Sequence, residues 1–160
     1  FSLDDETWPS VEHYFQASKF AKGSAGYVAC MRAPTAAEAR RVGGMSGGYT
    51  PSPTWMADRV AVMYRAMVAK FTQSAFHGYL LQSTGDQRIY QVSDDDRDRF
   101  WSCALADVGS IPLTAQTNTI GRLLERIRTR LQTEAAAADR RAADSADSAD
   151  SADSDDSDSD

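Results

Sequence analysis

Apolar residues recur at helical spacing in two long stretches of the chain. Ile120, Leu123, Leu124, Ile127 and Leu131 fall on one stripe, with Arg122, Glu125, Arg126 and Arg130 largely elsewhere around the cylinder, which predicts an amphipathic helix. Val60, Met63, Tyr64, Met67 and Phe71 repeat the pattern between Thr54, a residue suited to an N-cap, and a polar break at Thr72 to Ser74. A second core helix is expected there. Nearer the start, Val11, Tyr14 and Phe15 share a face after Pro9 and Ser10, both favourable at a helix N-terminus. Glu12 and Gln16 then occupy a neighbouring face. A weaker helix is expected around Ala36 to Val42, a short strand at Arg88 to Val92, and a loop over the Gly-, Ser- and Pro-rich stretch from Gly43 to Pro53. Helical signals therefore dominate.

The pattern stops before the chain does. Ala135 to Ala143 is alanine-rich, and from Ala143 the sequence repeats Ala-Asp-Ser four times before passing into Ser/Asp alternation. Such a segment has no apolar surface to offset the entropy of ordering it. The expectation is one domain over residues 1–133 and a disordered acidic tail over 134–160. That tail also explains the charge: residues 144–160 hold eight Asp and no base, and without them 15 acids face 17 bases, turning a net charge of −6 into +2. A near-neutral domain lacks the basic excess that duplex binding by charge alone requires. No run approaches the length of a membrane-spanning helix, and the three acids in Phe1 to Glu6 do not resemble a secretory signal. The expected location is the cytoplasm or the nucleus. Cys30 and Cys103, a single distant pair, are expected as two reduced thiols.

Candidate chemistry concentrates in T-W-P-S-V-E-H-Y-F-Q-A-S-K-F, Thr7 to Phe20. An acid, an imidazole, an amide and four aromatics would set a carboxylate against flat apolar walls. Such walls stack on a base or nicotinamide ring while the carboxylate faces a sugar carbon developing positive charge. Taken alone, the segment reads more readily as an amphipathic helix with a solvated Glu12 and a surface or core-edge His13. His13 points about a quarter-turn from Glu12 on a helix and reads as structural. No cofactor is implied. Cys30, Cys103, His13 and His77 lack ligand spacing, so no metal site is expected. Arg32, Arg40, Arg41, Arg59 and Arg128 have the chemistry of a phosphate clamp, although each also reads as a solvated helix face.

These residues resemble the NADAR (YbiA-like) N-glycosidase family. W-P-S-V-E-H-Y-F-Q-A-x-K-F is similar to its leading signature. The likeness continues in order through Trp55, Arg59, Met63 and Lys70-Phe71, then Leu80-Leu81 and the Thr84-Gly85-Asp86 turn. It ends with Trp101 and the closing helix of Asn118, Gly121, Leu123, Leu124, Arg128 and Leu131. The resemblance spans about residues 7–132 and implies a compact, orthogonal multi-helical domain, mainly α, with at most a short strand pair. It implies hydrolysis of an N-ribosyl bond in a riboflavin-pathway intermediate, or in an ADP-ribose conjugate or NAD-derived molecule. Glu12 would be the catalytic residue, activating water and stabilising an oxocarbenium-like transition state. Trp55 and Trp101 would line the pocket, with Tyr14, Arg59, Asp86 and Asn118 as further substrate-binding residues.

The chain also departs from the family pattern. Trp101 to Ala104 reads W-S-C-A where members have Trp-Gly-x-Gly, sometimes with an acid at the third place. Gly43-Gly44 stands where Gly-Arg is usual, removing a cation, and Gln91 replaces a Glu expected after the Thr-Gly-Asp turn. The start at Phe1 suggests a fragment lacking an upstream Ser-Asn-Phe segment. Two functions are therefore carried forward: an active N-glycosidase, and a weakened module that binds ADP-ribose or a nucleotide and recruits partners through its tail. The expected partners are a small nucleotide-like substrate or an ADP-ribosylated macromolecule, no membrane, and a basic protein for the tail. The proton donor to the leaving base is left open between His13, Asp86 and solvent.

Overall fold

The computed structural model describes residues 1–94, 98–109 and 117–150, with side chains as far as Ser145. It begins with a hairpin that the hydrophobic pattern does not announce. β1 (Ser2–Leu3) and β2 (Glu6–Thr7) pair antiparallel, Ser2 opposite Thr7 and Leu3 opposite Glu6. The turn residues Asp4 and Asp5 sit at φ 56° and 66°, the left-handed conformation that a tight two-residue hairpin turn needs and that Asp tolerates. Burial works to raise the Asp4 pKa, but hydrogen bonds from Tyr14 (2.8 Å) and Arg65 (2.6 Å) prevail and leave it lowered.

Six α-helices follow among the described residues: α1 (Val11–Ala17), α2 (Ala25–Met31), α3 (Ala36–Gly43), α4 (Trp55–Gln73), α5 (Ala75–Ser83) and α6 (Thr119–Asp150). One local device starts four of them. The hydroxyls of Ser10, Ser24, Thr35 and Ser74 accept the backbone N–H three residues on, at His13, Tyr27, Glu38 and His77, satisfying donors that a helix start leaves orphaned. The mainly α architecture, with one two-stranded sheet among the described residues, is the expected one. The periodicity identifies α1, α3, α4 and the packed part of α6, but misses α2 and α5. In α2 the buried residues are Gly26, Tyr27 and Cys30, one bulky side chain rather than a stripe of them. In α5 only Gly78 and Leu81 are buried, while Phe76 and Tyr79 stand 67% and 70% exposed, so hydrophobicity does not trace its inward face.

The expected strand at Arg88 to Val92 is a correction. The segment is not part of a sheet, apart from one isolated bridge of Val92 to Cys103, because its backbone bonds go largely to side chains of the last helix region. Ile89 N donates to Glu125 Oε1 (2.9 Å) and Gln91 N to Asn118 Oδ1 (2.9 Å), while Asn118 Nδ2 donates to Ile89 O (2.8 Å). A segment can satisfy its polar backbone this way without a partner strand.

Two apolar clusters flank α1. Trp8, Tyr14, Phe20 and Tyr27 form one, with Cys30 and Ala66; Phe15, Met63, Met67, Leu81, Leu123 and Ile127 form the other. Val11, Tyr14 and Phe15, read as one face, therefore split: Tyr14 packs edge-on to Trp8 (5.1 Å between ring centres), whereas Phe15 turns to α4 and α6. Packed on two sides, this seven-residue helix turns Glu12 and Gln16 to the side that remains open, while His13 is buried against Ala33. Both cysteines are free and buried. Among the described residues, no helix is long and apolar enough to cross a membrane.

α6 runs past Thr133, where the packed domain was expected to end, as far as Asp150. Between Thr133 and Ser145 every residue except Ala137 is exposed. The helical form thus extends beyond the core contacts, a local consequence of the alanine-rich composition; residues 151–160 of the expected disordered tail lie outside the described residues. Truncation after Thr133 is expected to leave the melting temperature and kcat/KM unchanged while removing any salt-sensitive capture of a basic protein. A large fall in kcat/KM in that variant would show that the tail reaches the active site.

Candidate active site

The polar stripe left on α1 faces a cleft of about 320 Å³ whose lining includes Glu12, Phe15, Gln16, Lys19, Trp55, Arg59 and Trp101. Glu12 and Gln16 stand at i and i+4 on α1, the spacing of one helix face, and Lys19 joins them from the turn that follows the helix. Gln16 is 4% exposed, and its Nε2 donates to Glu12 Oε1 at 2.7 Å. Its Oε1 is buried without a hydrogen-bond partner among the described residues, turned away from the carboxylate and against Gly43. A Cβ built on Gly43 would lie 2.3 Å from that oxygen and 2.8 Å from Gln16 Cβ, so glycine at 43 makes room for the amide that steers Glu12.

Lys19 closes the same corner, donating to Gly43 O at 2.8 Å with Nζ 5.9 Å from the Phe15 ring centre and 5.8 Å from that of Trp55. Burial lowers its pKa; the charges of Glu12 and Cys30 pull the other way, and Arg40 adds to the lowering. Phe15 is the aromatic pivot: Trp55 and Trp101 meet it edge-on, at 4.9 Å and 5.3 Å between ring centres. Arg59 lies over Phe100 at 3.9 Å and nearer the edge of the site at 5.8 Å from Trp101, a cation–π arrangement. Arg40, on the last turn of α3, pairs with Asp98 at 3.5 Å, and both line the cleft.

Glu12, Trp55, Trp101 and Arg59 all line this one cleft. Three other expected site residues are not. Tyr14 is 3% exposed in the opposite cluster, its hydroxyl bound to Asp4 and its pKa pushed up to about 12, chiefly by burial and then by that bond. Asn118, 1% exposed at φ 51°, ties Ile89 and Gln91 to the start of α6. Asp86 is exposed on a turn held by Arg128, which donates to Thr84 Oγ1 and Gln87 O, both at 2.8 Å. Tyr14 and Asn118 thus bond within the scaffold, and Asp86 faces solvent away from the cleft lining. Of the clamp arginines, only Arg40 and Arg59 line the cleft.

The structure reads His13 as structural too. Its Nε2 is 3.0 Å from Ala33 O, which can only accept, and its Nδ1 is 2.7 Å from the Ser10 hydroxyl. Both ring nitrogens are occupied. Ser102 and Cys103, the altered residues after Trp101, are fully buried: Ser102 Oγ donates to Asp98 O (2.9 Å) and Cys103 N to Gln91 O (2.8 Å). Although no acid follows Trp101, one precedes it, since Asp98 reaches the cleft. Among the described residues there is no group of three or more metal-ligating side chains.

Gly43 offers a direct check of this geometry. Gly43→Ala must displace the Gln16 side chain, so we expect about 1–3 kcal/mol of destabilisation from overpacking and a fall in kcat with KM little changed. Unaltered kcat in the folded variant would show that Gln16 does not steer Glu12.

The chain is 31% identical over 149 residues to a maize chloroplastic riboflavin biosynthesis protein, PYRR, covering 86% of this chain but 22% of that protein. The match thus spans less than a quarter of the maize chain. An N-glycosidase of Nostoc punctiforme is 29% identical, with 81% of this chain and 78% of the relative covered. The NMR structure of the Escherichia coli protein YbiA superposes with a TM-score of 0.67 at 29% identity, covering 82% of this chain and 72% of YbiA. Residues 1–132 match the NADAR domain family. With that match over most of its length, the chain belongs to the NADAR domain family.

Proposed function

We propose that this chain is an N-glycosidase that hydrolyses the N-ribosyl bond of a nucleotide-like substrate, with Glu12 activating the attacking water. The observation that carries the reading is the placement of Glu12: held by Gln16 in a cleft whose walls are Phe15, Trp55 and Trp101. Departure of the base leaves positive charge on the anomeric carbon and ring oxygen, and a carboxylate fixed beside that position stabilises it more than it stabilises the neutral ground state. The same carboxylate accepts a proton from water as the new C–O bond forms. The aromatic walls take the planar base by stacking.

The leaving base needs a proton or a hydrogen bond. His13 is enclosed and Asp86 lies outside the cleft. Lys19 faces the cleft, spends one N–H on Gly43 and holds its proton less firmly because of burial. It is the cleft group best suited to donate, with solvent at the open mouth as the other source. Support for the reaction class comes from the relatives named N-glycosidase, of which the chain covers about three-quarters. The riboflavin biosynthesis proteins of maize and Vibrio vulnificus support an aminopyrimidine riboside as one substrate class. The binding-only alternative rested on the altered residues after Trp101, which are buried packing elements, and no feature of the cleft favours it.

The test is a mass-spectrometric search for released base after incubation with NAD, ADP-ribose conjugates and aminopyrimidine ribosides. Release from at least one, abolished by Glu12→Gln, is the expected result. No release from any of them would overturn the reading.

A further inference from the structure

The serines of the acidic tail fall on a strict period. Ser145, Ser148, Ser151, Ser154 and Ser157 stand three residues apart, each directly after an Asp, and the residue three places beyond each of the first four is the next serine. Ser157 differs, because three places beyond it stands Asp160. In the opposite direction the period has no such acid, since Ala142 precedes Ser145 by three. The near end of the series belongs to α6, which runs to Asp150 and so includes Ser145 and Ser148. Residues 138–145 are exposed, and the Ser145 hydroxyl donates to Ala142 O at 2.9 Å within the helix. No base follows Arg141.

From this period we propose that the tail is a phosphorylation ladder, entered at Ser157 and extended one serine at a time into α6 by a protein kinase that reads an anionic group three residues after its acceptor. The ladder is independent of the chemistry in the cleft. At each step the serine oxygen attacks the γ-phosphorus of ATP, its proton passes to the base of the kinase, and the bond to ADP breaks. Asp160 supplies the anionic group for Ser157. At every later step the phosphate just added takes that place, and it offers a cationic recognition pocket more charge and more acceptor oxygens than a carboxylate does. A kinase reading the second position instead would find an Asp there for each of Ser145, Ser148, Ser151 and Ser154 and would modify them in no order. The last two steps also change the helix. Ser145 must release Ala142 O before its oxygen can attack, and each phosphate adds about −1.5 to −2 charge near the C-terminal end of α6, where the macrodipole already disfavours anions. Phosphates at Ser148 and Ser145 therefore unwind this end back toward Arg140 and Arg141, whose charges oppose further loss.

The test is a time course of the full chain with ATP, Mg²⁺ and a serine kinase selective for an acid three residues after the acceptor, read by fragmentation mass spectrometry. Ser157 is expected first and Ser145 last, with no molecule carrying phosphate on Ser148 but not on Ser151. Asp160→Asn should abolish modification of all five serines. Ser151→Ala should stop the reaction after Ser157 and Ser154, and Ser151→Asp should restore it at Ser148 and then Ser145. In the fully phosphorylated chain, helicity by circular dichroism should fall while the melting temperature of the domain stays unchanged. Phosphate appearing on Ser148 or Ser145 of Ser151→Ala at the wild-type rate, or on the five serines of Asp160→Asn at that rate, would overturn the ladder. So would a wild-type chain left unmodified at Ser157, or unchanged helicity once all five serines are phosphorylated.

Discussion

Replacing Glu12 by Gln should lower kcat by about 10²–10⁴-fold, the usual contribution of a positioned general acid–base group, and leave the fold and ligand affinity nearly intact. The argument is steric and electrostatic together. Gln has the shape of Glu, and its amide oxygen can still accept from Gln16 Nε2, so the 2.7 Å contact seen with the carboxylate survives. What disappears is the negative charge, which matters most when the sugar becomes oxocarbenium-like, and the ability to take a proton from water. An interaction made chiefly in the transition state shows in kcat and not in binding. Single-turnover base release, equilibrium titration with a product analogue and thermal unfolding separate these quantities. A variant that kept most of its kcat would sink Glu12 as the catalytic carboxylate.

Trp55→Ala and Trp101→Ala should each weaken ligand binding by about 1–3 kcal/mol, by analogy with base stacking on aromatic side chains. That corresponds to about 5–150-fold in affinity. Both indoles are half-buried and both meet Phe15 edge-on, so each has one edge in the core and one face toward the cleft. Trp101 also packs edge-on to Phe100 at 4.9 Å, and its loss should lower the melting temperature more than that of Trp55. The decisive comparison is between affinity and stability in the same variant. A large drop in melting temperature with unchanged affinity would return that tryptophan to the core and remove it from the pocket.

Local pattern was enough for much of the helical frame. The stripes of α4 and α6 are legible because a long helix packed on one side must repeat its apolar residues every three to four positions. Val60 to Phe71 and Ile120 to Leu131 do so. Glu12, Trp55, Trp101 and Arg59 were legible as cleft residues only through their place in an ordered family signature, since alone each is an ordinary helical residue. Tyr14, Asp86 and Asn118 carry the same kind of signature and lie elsewhere. Polar side chains at fixed positions are retained as readily to satisfy buried backbone as to meet a ligand, and sequence does not separate the two.

Gln16 had a usable signal, the i, i+4 polar stripe with Glu12, but a solvated face has that same stripe. Only burial of α1 between two apolar clusters turns the stripe into the wall of a cleft. Arg40 reads only as one of five arginines suited to a phosphate, and nothing in the sequence marks Asp98 or pairs the two. They are 58 residues apart, on α3 and on the segment before Trp101, and they meet because the tertiary fold brings those segments to one rim. The Gly43-Gly44 sequence reads as the loss of a cation, yet the structure supplies one a turn earlier. Apolar periodicity, the Ser10 cap of α1 and the ordered family signature are properties of neighbours along the chain and are legible there, whereas the Thr54 hydroxyl makes no capping bond. The packing directions of α1, the room that Gly43 leaves for Gln16 and the meeting of Arg40 with Asp98 depend on contacts between distant segments, which only the folded structure decides.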